Sequence, residues 1–201
     1  MPDIPYNQWN PLSVSQVMEL FSEAPFSWAI AGGYAVEAFV GKPFRDHGDI
    51  DVIIFRDQQL ALQDWLSDWF LFAADPPGTL RSWKKSEYLP RGIHDIWGHT
   101  NVQAWQLQVM LTEVEDDRWF SRRSILIGGQ RGDLIVEYNG IPCIRIEVQL
   151  LYKANPSRRQ KDDMDFDTCL SLMSVESKQW LATSLDVLYP EGHPWKELLI
   201  S

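Results

Sequence analysis

The chain has little sulfur, little histidine and no long apolar run. Its two cysteines, Cys143 and Cys169, are far apart in 201 residues, and the four histidines share no ligand spacing. Such usage gives neither a disulfide framework nor a zinc site, and fits a reducing cytoplasm. No apolar stretch approaches the ~20 residues of a membrane helix. The opening segment MPDIPYNQWNPLS has no basic stretch leading into an apolar one, so it does not read as a signal peptide. Basic residues are outnumbered, 18 Lys and Arg against 28 Asp and Glu, and a formal charge of −10 repels nucleic-acid phosphates. Neither GxxxxGK(S/T) nor GxGxxG occurs, which leaves a P-loop or dinucleotide-binding reading without support.

What remains is enough for a core. Hydrophobic residues make up 45% of the chain, and ten tryptophans are available for packing and for lining a pocket or groove. The most informative stretch is WAIAGGYAVEAFVGKPFRDHGDIDVIIFR, Trp28 to Arg56. An apolar run, Trp28 to Ala31, meets Gly32-Gly33 and then a helical segment, Tyr34 to Val40. Paired glycines at a helix start let backbone approach an anion closely and leave free N–H groups facing it. After Gly41-Lys42-Pro43, the residues Asp49 and Asp51 lead into Val52 to Phe55. Alternation along a strand puts the two carboxylates on one side and turns Ile50 and Val52 inward. Adjacent carboxylates repel unless a cation lies between them, and oxygen-only ligands favour Mg²⁺ or Mn²⁺.

Elsewhere the periodicities are clear. Ser13 and Gln16 form a capping box before Val17, Leu20 and Phe21. Leu62, Trp65, Leu66 and Trp69 predict an amphipathic helix, and Phe70 to Ala73 a strand. Gly92 to Gly98 and Trp105 to Glu113 predict two strands joined by a turn around Thr100-Asn101. Ile125 to Ile127, Leu134 to Tyr138 and Ile141 to Ile146 continue the strand pattern, with Gly128-Gly129 and Asn139-Gly140 as turns. From Glu147 the pattern is helical, giving an α/β core over 1–146 and a helical portion over 147–201 packed on it.

The stretch around Gly32, Gly33, Gly41, Arg45, His47, Asp49 and Asp51 resembles the nucleotidyltransferase superfamily, in its aminoglycoside and lincosamide branch. The run Glu147 to Lys153, then Lys161-Asp162-x-x-Asp165-Phe166, Trp180-Leu181 and His193-Pro194-Trp195 is similar to the same branch. The resemblance implies an α+β fold, with a mixed sheet, flanking helices and a helical C-terminal portion. It implies transfer of a nucleoside monophosphate, AMP from ATP or another NTP, to a hydroxyl of a small acceptor. It assigns Asp49 and Asp51 to the metal, Gly32 and Gly33 to the triphosphate, and Lys153 to the phosphates with support from Arg45.

One position departs from that pattern. Where relatives carry a third carboxylate, this chain has Gln108 in Leu107-Gln108-Val109-Met110-Leu111. An amide can touch a metal but cannot act as a base at neutral pH. Asp95, on the neighbouring expected strand, is the better substitute; Glu113 falls on the opposite face, and Glu137 is remoter. Asp162 and Asp165 share a helix face and read as solvated charges or a grip for a cationic acceptor. Trp119 with Arg122-Arg123 is either a phosphate contact or a surface basic pair. Two alternatives stand beside small-molecule transfer: a toxin-type enzyme acting on a macromolecule, and a nucleotide-binding module that has lost catalysis at Gln108.

Overall fold

The computed structural model describes residues 4–100 and 103–200. Asn101 of the expected turn and the first three residues of the N-terminal segment therefore lie outside the described residues. Ser13 caps α1 (Val14–Leu20), its hydroxyl accepting from Gln16 while Gln16 answers at the Ser13 amide, as the capping box predicts. Val17 and Phe21 carry that helix onto the sheet.

The motif stretch forms β1 (Trp28–Ala31), α2 (Gly32–Val40) and β2 (Asp51–Phe55). A 3₁₀ turn leads to α3 (Gln59–Trp65), which ends four residues short of the Trp69 that its periodicity included. Then come β3 (Phe70–Ala74), β4 (Leu80–Ser82), β5 (Asp95–His99) and the long β6 (Leu107–Glu115). A hairpin of β7 (Arg118–Ser121) and β8 (Ser124–Gln130) extends from the end of β6, followed by β9 (Ile135–Tyr138) and β10 (Ile141–Ile144). Four helices complete the chain: α4 (Ile146–Lys153), α5 (Gln160–Leu170), α6 (Val175–Leu188) and α7 (Pro194–Ile200).

The main sheet runs β4-β3-β5-β6-β2-β1-β10-β9 and is mixed: β2 lies parallel to β6 and β1 parallel to β10, and the other neighbours are antiparallel. This is an α+β architecture. Asn139 and Gly140 make the β9–β10 turn with φ of 52° and 79°, as Asn-Gly between apolar runs requires.

Gly128-Gly129 is not the turn expected from sequence. Both glycines lie inside β8, opposite Phe120 and Trp119. A Cβ at Gly128 would collide with the Trp119 carbonyl, and one at Gly129 would press on the Trp119 indole. Trp119 takes the space at both, with its backbone at Gly128 and its buried ring at Gly129. The strand β7 shows no apolar–polar alternation in its sequence: Trp119 and Ser121 are buried, and apolar Phe120 lies between them.

Apolar packing forms two clusters. One fills the sheet around Ile30, Ile54, Leu107 and Val109; the other joins α4, α5, α6 and α7 around Leu151, Phe166, Leu185 and Trp195. Helix α2 contributes to both, through Ala35 and Val36. Among the described residues no helix is long and apolar enough to cross a membrane.

Candidate active site

A cavity of about 300 Å³ opens where the ends of β1, β2 and β6 meet the C-terminal end of α4. Its position follows from register. Asp51, first residue of β2, pairs with Ala31 on one side and with Gln108 on the other. Asp95 on β5 pairs with Met110, two residues beyond Gln108, and so shares a face with it. Asp49, Asp51, Asp95, Gln108 and Gly32 all line the cavity, and Lys153 and Tyr152 form the wall toward α4. Ile50 and Val52 are fully buried on the other side, as the alternation predicts.

The glycine pair has two different reasons to be glycine. Gly32 has φ of 65°, and a Cβ there would run into the Asp51 carboxylate. Its N–H donates to Gln149 Oε1 at 2.8 Å, so α4 holds the turn directly. Gly33 leaves room for the His47 ring and the Arg45 guanidinium. His47 stacks on Tyr34 with centroids 4.2 Å apart; Arg45 Nη1 is 3.0 Å from His47 Nδ1, and His47 Nε2 is 3.0 Å from Glu37 Oε1. Gly33 and Arg45 thus stand behind the cavity wall and not among its lining residues.

The acidic floor is short of positive charge. Burial, with the Asp49 carboxylate next in importance, pushes the Asp51 carboxyl up to about 7. A divalent cation between these two groups would relieve that repulsion, so the donors fit the metal the fold implies. Among the described residues no group of three or more His, Cys, Asp or Glu is spaced to hold one. The fit is therefore to an ion that takes its remaining ligands from water and substrate oxygens, as Mg²⁺ commonly does.

The third-acid position is amide in fact as well as in sequence. Gln108 Nε2 donates to Asp95 Oδ1 at 3.3 Å, and Arg122 Nη1 lies 3.9 Å from the same oxygen. Glu113, though at the cavity margin, is committed elsewhere: Arg56 binds it at 2.6 Å in a buried pair. Glu137 is exposed on β9, at the edge of the sheet.

Asp162 and Asp165 are not solvated charges. They are 1% and 0% exposed. Asp165 accepts both prongs of Arg45 and sits 2.7 Å from Lys153 Nζ; Asp162 binds Arg159. Periodicity placed them on one face, but only the packing of α5 on α4 shows that face to be interior. The basic pair divides. Arg122 lies over the Tyr152 ring and lines the cavity, while Arg123 caps α4 by donating to the carbonyls of Leu151, Tyr152 and Ala154. Trp119 is buried, and among the described residues no tryptophan lines this cavity. Arg122 is open in the sequence between a phosphate contact and a surface pair, and it lines the cavity; Gln149 and Tyr152 give no such sign, because an apolar helix run carries no signal of a cavity.

Comparison with known proteins places this arrangement. No curated protein matches the chain. The solved structure of LnuA, a lincosamide antibiotic adenylyltransferase with lincomycin bound, aligns over 83% of this chain and 100% of its own, at 19% identity and a TM-score of 0.57. ANT(2'')-Ia in complex with adenylyl-2''-tobramycin aligns over 87% of this chain and 97% of its own, at 17% identity and a TM-score of 0.56. Those likenesses establish a shared fold. The family described as aminoglycoside-2''-adenylyltransferase matches residues 13–168, and the chain belongs to it: a nucleotidyltransferase of the aminoglycoside and lincosamide branch.

Proposed function

We propose that this enzyme moves AMP from ATP to a hydroxyl of a small acceptor, with Mg²⁺ or Mn²⁺ held by Asp49 and Asp51. One observation carries the reading: two unrelieved carboxylates at the mouth of β2 face a lysine on α4 across one cavity, beside a glycine turn. The metal, when bound, would neutralise charge building on the phosphoryl group. Lys153 would bind the phosphates from the opposite wall as a point charge. Gly32 keeps the turn close to Asp51, and Gln149 fixes it there. Asp95 accepts from Gln108 on the same face, and would take the acceptor hydroxyl's proton. The names of the structural relatives, which act on lincosamide and aminoglycoside antibiotics, support an acceptor of that kind.

A second reading has its own observation. Gln108 beside Asp51 leaves the pair without a third acid in direct register, which suits a module that binds nucleotide without turnover. Pyrophosphate release from ATP with Mg²⁺ or Mn²⁺, across aminoglycosides, lincosamides and simple polyols, separates the two. Acceptor-dependent release, absent in Asp49→Asn/Asp51→Asn, is the expected result. Nucleotide binding without release from any acceptor would favour the module.

A further inference from the structure

Five ionised side chains beside the cavity alternate in sign. Arg45 donates from Nε and Nη2 to Asp165 at 2.7 and 2.9 Å; Asp165 Oδ2 lies 2.7 Å from Lys153 Nζ. Lys153 in turn is 3.8 Å from Asp162, and Asp162 holds Arg159 at 3.0 Å. Three cations and two anions leave one net positive charge. Lys153, Asp162 and Arg159 line the cavity, whereas Arg45 and Asp165 lie behind it.

Geometry separates the tasks of the two buried partners. Asp165, fully buried, is what permits a lysine to be held at 8% exposure, since an unpaired buried ammonium is strongly disfavoured. A lone Asp–Lys pair would, however, largely cancel the field of Lys153 toward an incoming anion. Arg45 offsets that. Its planar fork takes both oxygens of Asp165, and its remaining hydrogen-bond partners are the Asp46 carbonyl and His47 Nδ1 and it lies over the Phe44 ring, so the guanidinium is turned away from the cavity.

We propose that Arg45 acts on Asp165 and not on the phosphates: it is a charge-balancing, positioning residue that leaves Lys153 fixed in place yet positive toward the cavity. This rests on the cavity being the triphosphate site. On this account the charge of the cluster matters more than the identity of Arg45. Losing Arg45 brings the cluster to zero, and losing Arg45 together with Asp165 restores one positive charge.

Calorimetric titration of ATP and of adenosine, each with Mg²⁺, into the wild-type chain, Arg45→Met, Arg45→Lys and Arg45→Met/Asp165→Asn tests it. Arg45→Met is expected to weaken ATP binding about tenfold and leave adenosine unchanged. Arg45→Lys and the double variant are expected to stay within about threefold of wild type for ATP. The double variant decides the matter even if Arg45→Met does not fold, because it removes the Arg45 and Asp165 charges together and leaves Asp162, 3.8 Å away, as the partner of Lys153. A double variant weakened about tenfold or more toward ATP alone overturns the inference, since Arg45 would then touch phosphate itself. Wild-type protein that binds ATP no more tightly than adenosine overturns both this inference and the proposed function.

Discussion

Gln108 stands beside Asp51 in the β6–β2 ladder, and its amide nitrogen reaches the Asp95 carboxylate at 3.3 Å. The neutral side chain in the acidic row is therefore tied to the acid best placed to compensate for it. Asp95→Asn is expected to lower kcat by about a hundredfold with KM for ATP little changed, as loss of a proton acceptor does. Gln108→Glu in that background should recover part of the loss. Steady-state pyrophosphate release measures both, and an Asp95→Asn enzyme with unaltered kcat removes Asp95 from the chemistry.

In metal-free protein the contribution of Asp51 to stability should fall as pH rises. The folded-state pKa of Asp51 is about 7, above its usual value of 3.8. Between those values the folded state holds a proton that the unfolded state has released, so this contribution falls from about pH 4 to pH 7 and levels off above. Asp51→Asn should therefore be more stable than wild type at pH 8, by about 1–3 kcal/mol once solvent at the cavity edge is allowed for, and equal to it near pH 3. Thermal melts in chelator at both pH values read this directly. Equal gains at pH 3 and pH 8 would rule out ionisation as the cause.

Gly32→Ala should be costly for structure and site together. The φ of 65° disfavours any Cβ, and this Cβ would displace the Asp51 carboxylate. A loss of at least about 2 kcal/mol is expected, with metal-dependent nucleotide affinity falling in parallel. Denaturant melts and titration at a temperature where the variant is folded measure the two effects.

Glu113 is held in a buried ion pair that ties the fold together. Arg56, itself buried, binds Glu113 and donates to the carbonyls of Leu89, Pro90 and Ile93, tying the segment before β5 to the end of β2. Arg56→Met should cost about 3–5 kcal/mol by taking from buried Glu113 its closest cation, with His94 at 3.5 Å and Arg91 at 3.7 Å left beside it. Glu113→Gln should lower the melting temperature while kcat stays within about twofold of wild type. A hundredfold fall in kcat for Glu113→Gln would return this residue to the list of candidate acids.

Much of this protein is decided by sequence-local physics. The capping box at Ser13, the strand–glycine–helix passage from Trp28 to Val40, the Asn139-Gly140 turn and the alternation from Asp49 to Val52 depend on neighbours only a few residues away. They were therefore legible, and with them the placing of Asp49 and Asp51 on one side. Tertiary structure decided what depends on distant partners. Asp165 looks like any helix-surface acid until Arg45, 120 residues earlier, and Lys153 close over it. Gly128-Gly129 reads as a turn until the Trp119 backbone and ring need the space. Whether Asp95 can stand in for Gln108 rests on the β5–β6 register, set by pairing across a connection that no local period reveals. A charge or a glycine has its meaning fixed by what packs against it, and that is a property of the fold.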